Sequence, residues 1–232
     1  MAAGVASSMA QANVYSLNIV GYANVPNPVG YTFQTTPFQV TTAVTNGANE
    51  ILPANTGQYD GDSLLIWSGS SWNSYYLFSG SPSGFSDVGG NPIGAPILNA
   101  GLGYLYFNGQ AASNNITYIG QVRTGTNVVS IPATPEFAAI GSPAPLAGGV
   151  TSVLQFTNTA GALDGDNILT VIRDVAGDVT GFNSTSFFSG SPTGFADIGG
   201  NTVPEPQIAV GQGFFFDNVN STAVSWKQVL TP

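Results

Sequence analysis

Short runs of apolar residues, each bounded by turn residues, recur along the whole chain. The clearest are residues 63–67, 103–107, 168–172 and 213–216. Runs of this length flanked by Gly, Asn, Asp and Ser predict β-strands. Trp67 and Trp72, placed around a Gly-containing turn, predict a hairpin. The pattern therefore indicates many closely spaced strands.

The same pattern leaves little room for helices. No long stretch repeats apolar residues at the i, i+3, i+4 spacing of an amphipathic helix. At most a short helical turn is expected, around residues 44–52 or 147–154. Strands that follow one another without helical crossovers pair in antiparallel sheets. The predicted fold class is therefore all-β, with antiparallel sheets that form a sandwich or a closed barrel.

An internal duplication divides the sequence. Residues 78–91 (FSGSPSGFSDVGGN) recur as residues 188–201 (FSGSPTGFADIGGN), an offset of 188 − 78 = 110. The Gly-x-Gly-aromatic block at residues 101–108 recurs at 211–218 with the same offset. We expect equivalent positions for Phe78 and Phe188, for Phe85 and Phe195, and for Tyr106 and Phe216. The duplication predicts two homologous β bodies in tandem.

Two further blocks set the limits of the repeat. Residues 60–65 match 164–169 at an offset of 164 − 60 = 104, so the second copy carries six extra residues around 173–185. Residues 118–122 match 225–229 at an offset of 225 − 118 = 107. The predicted organisation is a terminal segment at 1–12, a first body at 13–122 and a second body at 123–232.

The strands that flank these bodies suggest a way to polymerise. Residues 18–22 resemble residues 117–121, which gives three related short strands for two bodies. One strand would then be left to complete a neighbouring subunit. The candidate intersubunit strand contains Val14, Leu17, Ile19, Val20, Tyr22 and Val25. The C-terminal strand at 224–230 could play the same part, and the alternative is that the N-terminal strand folds back into its own body.

Composition excludes several classes of function. Charged residues are 6% of the chain, against about 25% in an average soluble domain. The chain has Cys 0 and His 0. A Cys or His nucleophile, a His general base and a zinc site with Cys or His ligands therefore cannot form. Three basic residues cannot build a face for nucleic acid, and no apolar run approaches the ~18 residues of a membrane span. We expect no cofactor, no nucleic-acid partner and no membrane span.

The first twelve residues, MAAGVASSMAQA, resemble the end of an export signal. They are small and neutral, and they close on Ala10-Gln11-Ala12, the A-x-A pattern that precedes a cleavage point. This pattern predicts a secreted protein whose mature chain begins at Asn13. The alternative is an ordinary mobile tail.

Several motifs together resemble a known family. They are VGY-x-N-V at 20–25, T-P-F at 36–38, Asp-Gly at 60–61, W-x-G-x-x-W at 67–72, G-x-G-aromatic at 101–104 and x-G-x-V at 119–122. The combination resembles uncharacterised exported tandem β-repeat proteins of verrucomicrobial and planctomycete-type bacteria, over most of the chain. The resemblance implies export, a duplicated β body and a cell-surface role, and it brings no catalytic residues. The very low charge departs from that family.

Four acidic residues are candidate calcium ligands. Asp60 and Asp62 flank one glycine, and Asp164 and Asp166 flank another. Calcium requires six to eight oxygen ligands, and these segments lack the further acids and terminal Glu of a calcium-binding loop. Asp-Gly before a strand also forms a turn, because Gly adopts positive φ without strain. We favour turns over calcium sites.

The remaining candidates concern sugars. A glycosidase needs two carboxylates at a defined separation, and no asymmetric pair of acids is evident. Catalysis is therefore not expected. Trp67, Trp72, Tyr75 and Tyr76 cluster around one hairpin and could stack against sugar rings, although strand alternation would turn half of them toward a core.

Two functional hypotheses follow. The first is a structural subunit of an extracellular filament, sheath or surface layer, whose partners are copies of itself. The second is a secreted carbohydrate-binding module with a polysaccharide partner. Low charge and neutral β-rich ends favour the first, and the hairpin aromatics favour the second.

Overall fold

The chain is described by a computed structural model over residues 19–40, 46–80, 84–133, 137–158, 162–174, 178–189 and 194–231. The predicted export segment at 1–12 lies outside these ranges, as do Val14 and Leu17 of the candidate intersubunit strand. Within the described ranges, no helix is long and apolar enough to cross a membrane.

The first half of the chain forms a six-stranded antiparallel sheet and a two-stranded ribbon. Its elements are β1 (Val20–Asn27), β2 (Gly30–Thr35), α1 (Ala48–Ile51), β3 (Ser63–Trp67), β4 (Trp72–Phe78), β5 (Gly84–Ser86), β6 (Pro92–Ile93), β7 (Gly103–Asn108) and β8 (Asn114–Gln121). The sheet has the order β2-β7-β3-β4-β5-β6, and β1 pairs with β8 as the first ribbon. The four-residue helix α1 lies inside the predicted helical turn at 44–52 and confirms it.

The second half repeats the six-stranded sheet and the ribbon of the first half and adds one short strand pair. Its elements are β9 (Gly125–Ile131), β10 (Phe137–Gly141), β11 (Gly148–Gly149), β12 (Asn167–Arg173), β13 (Val179–Phe188), β14 (Gly194–Ala196), β15 (Thr202–Val203), β16 (Gln207–Ile208), β17 (Gly213–Asp217) and β18 (Val224–Leu230). The sheet order is β10-β17-β12-β13-β14-β15, β9 pairs with β18 as the second ribbon, and β11 pairs with β16. The all-β, antiparallel, sandwich-like prediction is confirmed. Both sheets are open, so the closed-barrel alternative is not adopted.

Strand register defines which residues of the two bodies correspond. Val25 is paired with Ile116 in the first ribbon, and Val129 is paired with Trp226 in the second. Ile116 and Trp226 are both buried in their own cores, so the offset stays at 226 − 116 = 110 to the end of the body. The offset of 107 expected for this block is wrong, because it matched residue types instead of the buried face of the strand.

Each core lies between the inner face of a sheet and its own ribbon. In the first body, Leu64 and Tyr106 of the sheet pack with Ile116 of the ribbon. In the second body, the equivalent Ile168, Phe216 and Trp226 pack in the same way. The expected equivalences Phe78/Phe188 and Phe85/Phe195 also hold, because Phe78 pairs with Gly84 and Phe188 with Gly194.

The outer faces of the two sheets explain the unbroken apolar runs in the sequence. Along β17, Phe214 and Phe216 point into the second core. Phe215 points the other way and belongs to a separate cluster with Phe33 of the first body. A strand that is buried on both faces has no polar side to alternate with. The two sheets therefore face each other.

Candidate interaction surfaces

The contact between the two sheets, called the seam below, is apolar and aromatic. Its side chains are Phe33, Ala139 and Phe215, with Trp67, Trp72, Leu105, Leu169 and Val171 packed around them. Phe215 is the centre, because its ring meets Phe33 at a centroid distance of 4.8 Å and Phe182 at 5.8 Å, both edge to face. Such pairs add about 0.5–1.5 kcal/mol each beyond area burial.

The two tryptophans predicted to stack against sugars belong to the seam. Trp72 and Trp67 lie 5.4 Å and 5.9 Å from the Phe215 ring, and Trp67 Nε1 donates a hydrogen bond of 2.8 Å to the Phe137 carbonyl. Tyr75 instead packs against the first core. Because Tyr75 and Tyr76 are neighbours on one strand, they point to opposite faces. The four residues therefore do not form one sugar-stacking surface, since the tryptophans join the two bodies.

The backbone contacts across the seam are related by an approximate twofold axis. Thr35 N donates to Gly211 O at 2.8 Å, and Gly141 N donates to Gly101 O at 3.1 Å. Thr35 corresponds to Gly141, because each is paired with the first glycine of its central strand, and Gly101 corresponds to Gly211. Each contact is therefore repeated with the bodies exchanged. Such an interface is isologous and closed, so it does not propagate to further copies.

The second glycine of each Gly-x-Gly motif allows the backbones of the two bodies to approach closely. A Cβ on Gly103 would lie 2.6 Å from the backbone N of Ile140, and a Cβ on Gly213 would lie 2.6 Å from the backbone O of Gln34. Real side chains do not tolerate these distances to backbone atoms. Glycine is therefore required where the backbones of the two bodies cross. The repeated motif was visible in the sequence, and it marks the seam.

The extra residues of the second copy also reach the first body. They lengthen the hairpin of β12 and β13, with a register shift between Ile172 and Arg173. Arg173 Nη2 donates to Thr32 Oγ1 at 2.7 Å, and Nη1 donates to the Val29 carbonyl at 3.4 Å. Burial lowers the pKa of Arg173 from its usual value. The insertion therefore strengthens the seam on the side opposite Trp67.

The candidate intersubunit strand is used within the chain. β1 is paired with β8 from Val20 to Asn27, and β18 is paired with β9 along its whole length. The described residues contain four flanking strands and not the expected three, because β9 is a further strand that shows no resemblance to the three related segments. No ribbon strand is left over among the described residues, so the alternative in which the N-terminal strand folds back is the one observed for Ile19, Val20, Tyr22 and Val25.

The outward faces of the two ribbons differ. On the first ribbon, Tyr22 is 74% exposed and is paired with the exposed Ile119, next to the exposed Val20. On the second ribbon, the exposed Val128 is paired with Lys227, the only lysine of the chain. The first ribbon therefore carries an uncharged apolar patch. The corresponding face of the second ribbon carries the charge of Lys227.

The four calcium candidates form turns. Gly61 and Gly165 have φ of +92° and +85°, which confirms the predicted Asp-Gly turns. Asp60 accepts hydrogen bonds from Asn55 and Ser79, and the Ser79 hydroxyl holds its pKa below the usual value. Asp164 is bound in the same way by Ser189 and Asn158. Among the described residues, no group of three or more acidic side chains is placed to hold a metal.

Asp62 and Asp166 point away from these turns into the protein. Asp62 Oδ2 accepts from the Tyr106 hydroxyl at 2.8 Å, and its Oδ1 accepts from Gly109 N and Gln110 Nε2, both at 2.9 Å. Both acids are fully buried. They fasten the start of β3 or β12 to the loop after β7 or β17, which is a structural task.

A pair of identical surface turns remains, called the tips below: residues 87–91 and 197–201. In each, Asp87 or Asp197 accepts hydrogen bonds through Oδ1 from the backbone N two and four residues later. The side-chain amide of Asn91 or Asn201 donates to both carboxylate oxygens and is the main cause of the lowered pKa of each Asp. Both turns are therefore closed by the same set of bonds.

Each tip presents one aliphatic side chain to solvent. Val88 is 85% exposed and Ile198 is 95% exposed. They project from the turns between β5 and β6 and between β14 and β15, at the edge of each sheet opposite β2 or β10. In the sequence, this block indicated the duplication. Nothing in the sequence alone told that its aliphatic residue points outward.

Comparisons with known proteins gave no match: no family model, no curated protein and no solved structure is similar to this chain.

Proposed function

We propose that the protein is a structural subunit of an extracellular assembly, and that its partners are copies of itself. The observation that carries the proposal is the pair of tips. An almost fully exposed Ile or Val on a turn closed by its own hydrogen bonds has little entropy left to lose when a partner covers it. Two such tips on one subunit make it bivalent.

The uncharged apolar patch on the first ribbon supports the same role. Val20, Tyr22 and Ile119 lie together there on paired strands. Contiguous exposed apolar groups mark interaction surfaces more often than isolated ones. With charged residues at 6% of the chain, subunits can pack closely with little desolvation of ions.

The closed geometry of the seam supports a subunit made of both bodies. The seam satisfies its own symmetry inside one chain, so further copies must attach elsewhere. The tips and the first ribbon carry the most exposed apolar side chains of the described residues and are the surfaces proposed for this. Export and an extracellular location rest on the resemblance and the A-x-A pattern at residues 10–12.

We favour this role over carbohydrate binding. The aromatic pair that motivated the alternative, Trp67 and Trp72, is packed against Phe215. Among the described residues, Tyr22, the remaining exposed aromatic residue of the first ribbon, has no ring contact that could help to hold a sugar chain. We also propose no catalytic activity.

Electron microscopy and sedimentation of the purified chain test the proposal. We expect ordered polymers at high concentration and a reversible shift to monomers on dilution. The double variant Val88→Ser/Ile198→Ser should raise the concentration needed for assembly by about tenfold or more, since each buried aliphatic side chain is worth about 1.5–3 kcal/mol. Val219→Ser, which removes another exposed aliphatic side chain outside the tips, is the matched control. A wild-type chain that stays monomeric at all concentrations contradicts the proposal.

A further inference from the structure

The second body has a polar pocket between the inner face of β12 and β13 and the segment after β15. Its volume is about 380 Å³. At ~30 Å³ per water molecule this is room for about a dozen waters, or for one sugar ring with part of its hydration shell. The pocket is lined chiefly by Thr170, Asn183, Thr185, Val203, Gln207 and Gln212. Hydroxyl and amide groups, which both donate and accept hydrogen bonds, therefore predominate.

The first body has apolar side chains at the corresponding places. Strand register and the offset of the repeat give three equivalent pairs: Thr170 and Ile66, Thr185 and Tyr75, and Gln212 and Leu102. Ile66, Tyr75 and Leu102 all pack against the first core. The scaffold can therefore close this place with apolar side chains, and the second body has smaller or polar ones there instead.

Several polar groups of the pocket are available to a ligand. Thr185 is only 7% exposed, and its hydroxyl has no hydrogen-bond partner among the described residues. The same is true of the Thr170 hydroxyl and the Asn183 side-chain amide. Gln212 Oε1 accepts from Ala209 N at 2.9 Å, which leaves Gln212 Nε2 available to donate. A polar group in a largely buried place gains from a partner, so these groups are suited to hold a ligand by hydrogen bonds.

The charges around the pocket favour a neutral ligand. Asp197 is the only charged residue in the lining, and its carboxylate accepts four hydrogen bonds within its own turn. The net charge of −9 also disfavours an anion. Val203, Pro204 and Pro206 add apolar surface beside the polar groups. Neutral hydroxyl groups next to a C–H face are the chemistry of a sugar ring.

We propose that this pocket binds one residue of a neutral saccharide. The hydroxyls of Thr170 and Thr185 and the amides of Asn183 and Gln212 exchange hydrogen bonds with the sugar hydroxyls, and Val203 contacts a C–H face of the ring. The inference goes beyond the proposed function, because a subunit that binds its own copies can also hold a sugar. The pocket includes neither Ile198 nor any residue of the first ribbon.

Saturation-transfer NMR and calorimetry with simple sugars test the inference, at protein concentrations below those of assembly. The neutral probes are glucose, galactose, mannose and N-acetylglucosamine, and the charged counterparts are glucuronate and glucosamine. We expect at least one neutral probe to bind with a Kd of about 1–10 mM and its charged counterpart to bind more weakly. Absence of binding by all neutral probes, or tighter binding of a charged counterpart, overturns the inference.

Substitutions taken from the first body locate the site. Thr185→Tyr and Thr170→Ile place the first-body residue in the pocket. Each should weaken binding by about tenfold or more, because it fills space or removes a hydroxyl. Thr185→Val, which removes the hydroxyl with little change in volume, should weaken binding by about fivefold to tenfold.

The matched control is Thr180→Tyr, on the same strand but outside the pocket, and it should change binding by less than about twofold. Thermal unfolding establishes that each variant is folded. Folded Thr185→Tyr and Thr185→Val variants that bind as well as wild type overturn the inference. These measurements do not depend on polymers, so their failure leaves the proposed function standing, and a chain that binds sugar without forming polymers contradicts only the proposed function.

Discussion

In the first body the buried carboxylate of Asp62 accepts three hydrogen bonds, whereas in the second body the equivalent Asp166 accepts two. The bonds from Val219 N and Asn220 Nδ2 to Asp166 Oδ1 reproduce those of the first body. The third is missing because Tyr106 is replaced by Phe216. Asp166 Oδ2 has no hydrogen-bond partner among the described residues. One scaffold therefore tolerates both a satisfied and an unsatisfied buried acid.

The two cores also differ in other buried polar side chains. The first core holds a chain of buried polar groups, in which the Tyr118 hydroxyl bonds to Tyr104 and Gln34, and Gln34 Nε2 donates to Asn27 at 3.2 Å. Burial raises the pKa of both tyrosines. At the positions of Tyr104 and Gln34, the second core has Phe214 and Ile140. The first core thus has polar side chains at two positions where the second core has apolar ones. The second core has a buried polar contact of its own, in which Ser142 Oγ donates to Gln228 Oε1 at 3.1 Å.

The largest difference between the bodies is expected at the seam. Phe215→Ala should lower the free energy of unfolding by about 3–5 kcal/mol, because it removes the ring that five aromatic neighbours surround and leaves a cavity. The equivalent Leu105→Ala should cost only about 1–3 kcal/mol, since Leu105 is only partly buried. Chemical denaturation of both variants checks this. Equal losses would mean that the seam is not centred on Phe215.

Exchanging the tyrosine and phenylalanine beside the two buried acids should give the second-largest change in stability. Tyr106→Phe should destabilise the protein by about 1–3 kcal/mol, because it leaves Asp62 Oδ2 buried without its donor. Phe216→Tyr should stabilise it by about 1 kcal/mol, since the new hydroxyl can donate to Asp166 Oδ2. Thermal unfolding of the two single variants measures both signs. If both variants destabilise equally, the two acids do not differ in the way described.

The smallest effect depends on pH. Desolvation raises the pKa of Asp166 above its ordinary value of 3.8, so the unfolded chain releases this proton first as the pH rises. The contribution of Asp166 to stability is therefore full below that pH and declines as the pH rises toward the folded pKa. Asp166→Asn should match wild type in acid and exceed it at neutral pH, by less than about 1 kcal/mol.

The matched control for this pH effect is Asp62→Asn. It removes a carboxylate that accepts three bonds, and it should destabilise the protein at neutral pH. Denaturation curves measured across pH for both variants provide the comparison. An Asp166→Asn variant that is less stable than wild type at neutral pH would contradict the raised pKa.

Much of the fold could be predicted because its signals are local. The apolar runs, the Asp-Gly turns and the repeated blocks each depend on a few neighbouring residues, and the strands, turns and equivalences follow from them. The seam could not be predicted in the same way, because Gly103 and Gly213 meet backbone from the other body. A single sequence does not show which distant strand packs against a given glycine.

The candidate sites were harder to predict for a related reason. Trp67 and Trp72 have the composition of a sugar-binding hairpin, and only the position of Phe215 shows that they pack, partly buried, against the other body. The prediction of an exchanged strand was wrong because it counted three flanking strands and did not include β9, which begins three residues after the end of β8. Exposure of Val88 and Ile198 depends on the direction in which a turn projects, which apolar composition alone does not give.

The approximate twofold axis of the seam has a consequence for how this protein can change. A single body carries a surface that is complementary to itself, so the chain is the covalent form of what would otherwise be a homodimer. In a homodimer every substitution is present on both sides of the axis. Linking the halves allows one body to have Tyr106 where the other has Phe216, and one body to have a longer hairpin than the other, so the two ends of a subunit can become different.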